Sequence, residues 1–158
     1  MNASAARGFT LIELVVSLAL VALFATIALP LAELTVKRGK EVELRLALRQ
    51  IRDALDAYKQ AVDEGRILSS PGDTGYPKQL ILLVEETKDA RTQGGTPLRF
   101  LRRIPRDPFA DPKLRPEETW GLRSYRSPYD RPQPGEDVYD VYSLSPDSGI
   151  NGIPYREW

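Results

Sequence analysis

The chain has 158 residues, with 22 Lys and Arg against 22 Asp and Glu, and it contains neither Cys nor His. That length holds one small domain of roughly 100–150 residues and an additional element. Without Cys there are no disulfides, thiolate metal sites or thiol nucleophiles; without His there is no Ser-His-Asp triad or imidazole base; and formal neutrality argues against whole-chain affinity for nucleic acid.

The overall balance hides segregation. Residues 14–32, LVVSLALVALFATIALPLA, carry no charge, whereas residues 33–64 hold seven basic and seven acidic side chains. Residues 99–131 have nine basic and five acidic residues, residues 132–158 one and five, and 12 of the 13 prolines lie after residue 70. The order is a short polar leader, an apolar segment, a charged helix and a Pro-rich globular part.

Nineteen uncharged residues rising ~1.5 Å each cover about 28 Å, close to the hydrocarbon thickness of a bilayer. Arg7 before the run favours a cytoplasmic N-terminus. A secretory signal would end in a small-residue cleavage site. Here the flank LPLAELTVKRGKEVELRLALRQ passes into a periodic helical pattern, so one helix continuing through the membrane boundary is the preferred reading. Glu13 stands out inside FTLIELVVSLAL. Taken alone it is a residue snorkelling to the headgroups, because a carboxylate at mid-membrane costs about 2.5–3.5 kcal/mol. Pro30 removes one helical hydrogen bond and is read as a kink or a tolerated membrane proline. Ser17 and Thr26 are able to bond back to helix carbonyls and are assigned no function.

The letters around Glu13 carry more. RGFTLIELVVSLALVALFATIALP resembles the N-terminal signature of type IV pilins and of the pseudopilins of type II secretion systems. The resemblance implies that a membrane prepilin peptidase cuts between Gly8 and Phe9, removing residues 1–8, and that the new amine of Phe9 is methylated. It places the assembly glutamate on Glu13 and the helix-kinking proline on Pro30. An α-amine has a reference pKa near 8 and is largely cationic at neutral pH. In the family, Glu13 would pair with the Phe9 amine of a neighbouring subunit, and low dielectric makes such a carboxylate far costlier unpaired than paired.

From residue 44 a second pattern begins. Leu44, Leu48, Ile51, Leu55, Tyr58 and Val62 step by four and three, and Ala47, Ala54 and Ala61 widen the stripe. Arg45, Arg49, Arg52, Asp53, Asp56 and Lys59 fill the other face. This is an amphipathic helix expected to pack on the chain's own sheet rather than in a coiled coil. Both segments together predict one helix from about Thr10 to Glu64, roughly 80 Å long, with Gly65 as its C-terminal cap. The domain boundaries expected are leader 1–8, membrane and filament-core helix 9–33, and head 34–158.

In the head, Pro71-Gly72-Asp73 is a turn, Lys78–Glu86 suits a short helix, and YRSPYD and VYDVYSL carry β-favouring residues. Two or three short antiparallel strands covering the helix stripe give an α+β fold. GYPKQLILLVEE, FLRRIPRDPFADP and VYDVYSLSPDSGINGIPYREW resemble successive landmarks of the major pseudopilin of type II secretion. Residues 114–136 depart from that pattern and leave their path open. The resemblance also implies a calcium loop between Leu144 and Trp158. Of the family's acidic positions only Asp147 is matched, with Ser148 and Asn151 beside it, so a metal-free turn held by Pro146, Gly149 and Gly152 and anchored by Trp158 is preferred. No cofactor is required.

Two other groupings invite a chemical reading. Asp137 and Asp140 form an imaginable acid–base pair, but odd spacing sets them on opposite strand faces, as solvated or subunit-facing charges. Arg99, Arg102, Arg103, Arg106, Arg115, Arg123, Arg126 and Arg131 interleave with Phe100, Phe109, Trp120, Tyr125 and Tyr129, a mixture that can bind single-stranded nucleic acid. Some type IV pilus components take up DNA, yet intervening acids dilute the field, and bridging between neighbouring heads is preferred.

The resemblance thus implies a non-enzymatic subunit of a type II secretion pseudopilus, held in a bacterial inner membrane with its head in the periplasm. Its implied partners are copies of itself, minor pseudopilins, the prepilin peptidase and the inner-membrane assembly platform with its ATPase; nucleic acid is not among them. The alternatives are a type IV pilus major or minor subunit, a DNA-capturing pilin, and a signal-anchored periplasmic enzyme.

Overall fold

A computed structural model of the chain describes residues 9–92, 94 and 97–158. Its principal element is helix α1, Leu11–Asp63. Two compact units divide the chain between Gly39 and Lys40.

In the first unit, α1 starts where Thr10 caps it. The Thr10 hydroxyl accepts the N–H of Glu13 at 3.3 Å, and its carbonyl accepts the N–H of Leu14 at 3.1 Å. Thr-x-x-Glu is the capping-box spacing, and a carboxylate in the first turn also complements the helix dipole. Beyond the cap, apolar side chains project around the whole circumference: Leu11, Ile12, Leu14, Val15, Val16 and Leu18 are all exposed. An 18-residue window here is long and apolar enough to cross a membrane, and none of it is buried. Ser17 bonds back to the Glu13 carbonyl at 2.7 Å, and Thr26 to that of Leu23 at 2.6 Å. Pro30 lies inside α1.

The second unit, Lys40–Trp158, is built on the one-sided stripe of α1. Leu44, Leu48, Ile51 and Leu55 are buried, with Ala47 and Ala54 beside them. They form one core with Leu80, Leu83, Leu101, Ile104, Trp120, Val138, Val141 and Tyr155. The stripe therefore packs on its own chain, as the mixed charges of the opposite face predict. The helix ends at Gly65, whose φ of +69° suits a residue without Cβ. The N–H groups of Gly65 and Arg66 return to the carbonyls of Val62 and Ala61, each at 2.9 Å, the double closure of a Schellman motif.

The strands form two separate antiparallel ribbons among the described residues. In one, β1 (Thr87–Lys88) pairs with β2 (Pro97–Leu98); in the other, β3 (Trp120–Arg123) pairs with β4 (Asp140–Ser143), setting Trp120 opposite Ser143 and Arg123 opposite Asp140. Strand β4 lies in the expected VYDVYSL run, whereas β3 comes from the stretch whose path the sequence left open. YRSPYD is not a strand. It forms turns closed by Ser127 N–H on the Ser124 carbonyl at 3.0 Å, and Pro128, Pro132 and Pro134 have no N–H to extend a ladder. The helix expected over Lys78–Glu86 shrinks to a 3₁₀ turn, Leu80–Leu83, because the Leu83 carbonyl is taken by the N–H groups of Phe100 and Leu101 at 3.1 and 2.8 Å.

Tyr155 is fully buried at the C-terminal end of this core. Its ring stacks on Phe109 at 4.3 Å and meets Trp158 edge-on at 5.0 Å. Burial, and then the hydrogen bond to Glu41, push its phenol up to about 12. The folded state thus holds this proton to higher pH than the unfolded chain does. The stability it contributes is intact below about pH 10, the ordinary tyrosine value, and is lost as pH rises toward 12.

Two outcomes follow for detergent-solubilised protein unfolded in denaturant and read by near-ultraviolet circular dichroism. Leu55→Ala costs about 2–5 kcal/mol by opening a cavity in the core, whereas Leu46→Ala, at a position 59% exposed, stays within about 0.5 kcal/mol. Above about pH 10, wild-type stability declines more steeply than that of Tyr155→Phe.

Candidate functional site

The sequence-based candidates fall at the two ends of the chain. At the N-terminal end, Gly8 of the expected cleavage site lies outside the described residues. Phe9 is 83% exposed, and Glu13 sits exposed in the first turn of α1. Among the described residues the Glu13 carboxylate makes no ion pair within the chain, while its backbone is held by Thr10 and Ser17. Thr10 is the residue that sequence reading passed over, although Thr three positions before Glu is itself the signal of a capped helix start. The cap fixes where the helix begins and so on which turn Glu13 stands.

At the C-terminal end, the loop carrying Asp147 makes several hydrogen bonds to itself. The Asp147 carbonyl accepts the Tyr155 N–H at 3.1 Å, the Gly149 carbonyl that of Gly152 at 2.9 Å, and the Ile153 carbonyl those of Gly149 at 2.8 Å and of the Trp158 indole at 3.2 Å. Asn151 Oδ1 accepts the Ile153 N–H at 3.1 Å. A Cβ at Gly149 would meet Trp158 Cζ2 at 2.4 Å, so the ring closes down where only glycine leaves room. Calcium takes 6–8 oxygens. This loop offers the exposed Asp147 carboxylate, with the Asp147, Gly149 and Ile153 carbonyls turned to internal N–H groups, and no three acidic side chains gather among the described residues. The residues present do not fit a calcium ion.

Asp137 and Asp140 are not brought together, and neither is a solvated charge. Asp137 is buried, accepting the Thr74 hydroxyl and the Tyr125 N–H at 2.8 Å. Asp140 bridges two guanidinium groups, with Arg52 Nε at 2.8 Å and Arg123 Nη2 at 3.4 Å. Both neighbourhoods involve residues distant in sequence, which a spacing argument within one strand does not reach. The conspicuous RDPF turn is structural too: Asp107 is buried and accepts the Ser143 hydroxyl at 2.5 Å and the Phe109 N–H at 2.8 Å.

The arginine–aromatic stretch does not form one free basic face. Arg99 pairs with Glu86, Arg115 with Glu117 and Glu118, Arg123 with Asp140, and Arg131 with Asp130. Arg106 donates to the carbonyls of Leu114 and Asp111 at 2.6 and 2.9 Å. Arg52, Arg123, Asp140 and Trp158 also line a hollow of about 550 Å³. There Arg52 is tied to Asp140 and to the Trp158 carbonyl at 2.8 Å, and Arg123 lies over the Tyr139 ring at 4.8 Å.

Comparison with curated proteins and with solved structures finds no match. Residues 3–29 match the prokaryotic N-terminal methylation motif, which spans the expected cut at Gly8 and Phe9 and the apolar start of α1 through Glu13, and this prepilin-type signal on a long N-terminal helix supports a type IV pilin-like protein.

Proposed function

We propose that this chain is a structural subunit of a type II secretion pseudopilus. In this reading the helix holds it in the bacterial inner membrane with its head in the periplasm. Cleavage after Gly8 and methylation of Phe9 prepare it for extraction by an ATP-driven assembly platform into a periplasmic fibre, whose growth drives protein export. The observation that carries the reading is the coincidence of a prepilin-type motif over residues 3–29 with an apolar helix start that its own unit leaves uncovered. Such a surface needs lipid or other subunits. Resemblance of the GYP, RDPF and VYDVYSL segments to major-pseudopilin landmarks favours secretion over the second reading, a type IV pilus subunit sharing the same N-terminus.

Glu13 is the assembly group in this mechanism. The cleaved amine of Phe9 on one subunit and Glu13 on its neighbour neutralise each other inside the fibre, and the incoming chain gains the pair at a single axial offset.

Three outcomes are expected. In cells with an active prepilin peptidase, intact mass spectrometry finds a chain starting at Phe9 and carrying one added methyl group; a chain starting at Met1 removes the pilin-like reading altogether. Glu13→Ala still inserts in the membrane but gives a reduced yield of sheared fibre, and a normal yield removes Glu13 from assembly. Deletion of the chain depletes specific proteins from the culture supernatant while motility and DNA uptake persist; unchanged secretion with lost pili or transformation assigns the chain to the pilus class instead.

A further inference from the structure

The C-terminal loop that fails the test for calcium is organised about a different group. Glu41, on the first turn of α1 within the second unit, is 5% exposed. Its Oε1 accepts the backbone N–H of Ile150 at 2.7 Å and the hydroxyl of Tyr155 at 3.1 Å. A cation site gathers carbonyl and carboxylate oxygens, whereas here a buried carboxylate gathers an N–H and an O–H. The polarity of the loop is inverted: Ile150 turns a donor inward, at an oxygen that the Tyr155 hydroxyl also meets.

We propose that Glu41 is the group that closes the 144–158 loop, an intramolecular carboxylate standing where a metal ion would otherwise tie the loop to the head, so that the fold of this head is independent of calcium. Several features converge on it. The loop's Asp147, Gly149 and Ile153 carbonyls are engaged by its own N–H groups, and Asp147 is the one carboxylate between Leu144 and Arg156. Tyr155, one donor to Glu41, is fully buried, stacked on Phe109 and edge-on to Trp158, so its hydroxyl is held in one place. Arg45, one turn further along α1, lies over the Trp158 ring at 4.4 Å, fastening the end of the same segment to the same helix. A carboxylate is expensive to bury unless hydrogen-bonded, and a charge-assisted bond is about twice as strong as a neutral one, so an acceptor at this position holds the loop firmly. The closure also sets the outward placement of Ile150 and Ile153, which are 41% and 46% exposed. It stands whichever fibre the chain joins.

The test uses the full chain in detergent micelles, melted in excess calcium chloride or excess EGTA and followed by near-ultraviolet circular dichroism of its tryptophans and tyrosines. The wild-type midpoint is the same in both. Glu41→Met, which keeps the bulk but removes the acceptor, lowers the midpoint by on the order of 10 °C in both. Glu41→Gln, which keeps an oxygen at the Oε1 position, recovers most of that loss. Amide exchange read at Ile150 quickens about tenfold in Glu41→Met and in the milder Tyr155→Phe less so, since only one of two donors is lost. A wild-type midpoint that rises with calcium or falls in EGTA overturns the proposal. So does a Glu41→Met protein that matches Glu41→Gln in both melting and Ile150 exchange.

Discussion

A helix can bury within its own chain only the stripe that the remaining chain is able to cover. In α1 the apolar pattern is all-round at the start and one-sided from Leu44 onward, and everything else in the protein depends on that change. The one-sided part nucleates the head, because a stripe of leucine, isoleucine and alanine needs a single covering layer. The all-round part cannot be satisfied that way, and lipid or neighbouring helices are the surroundings in which it is stable. A single element thus couples a folded head to a surface that belongs in another medium.

The head itself is unusual in how its layer is fastened. With 12 prolines beyond residue 70, long ladders of backbone hydrogen bonds are unavailable, and the two ribbons are short. Buried and half-buried carboxylates take over the joining. Asp107 ties the RDPF turn to β4, Asp137 ties the 74–77 segment to the chain after β3, Asp140 ties β4 to α1 through Arg52, and Glu41 ties α1 to the C-terminal loop. Each accepts donors from parts of the chain far apart in sequence, which converts loop-rich chain into a defined core. The segments resembling family landmarks are thereby explained as joints: GYP meets VYD through the Val138 N–H on the Pro77 carbonyl at 2.8 Å.

The functional reading follows the same division of labour. In the proposed reading the N-terminal methylation motif and the uncovered helix serve processing and association, and they do not by themselves separate a secretion subunit from a pilus subunit. In the head, Arg99, Arg115 and Arg123 are paired internally, and the C-terminal loop, read from the sequence as a metal-free turn, is tied to α1 by Glu41. These features bear on how the head presents its surface to neighbours rather than on any reaction.

The helix, its apolar start, its buried stripe and its Gly65 cap were determined by the sequence itself, because helical periodicity and capping are local: each depends on residues within a turn or two. The prepilin-type motif was legible for the same reason, being contiguous. Strand β3, the turns of YRSPYD and the truncation of the helix after Lys78 were decided only in three dimensions, where a carbonyl such as that of Leu83 chooses between continuing a helix and meeting a distant N–H. The roles of Glu41, Asp107, Asp137 and Asp140 belong to this second class. A carboxylate on a charged helix or between prolines looks solvated until the fold brings donors to it over a separation of 109 residues, as for Glu41 and Ile150. No periodicity encodes that meeting; burial makes the bond necessary, and only packing reveals who makes it.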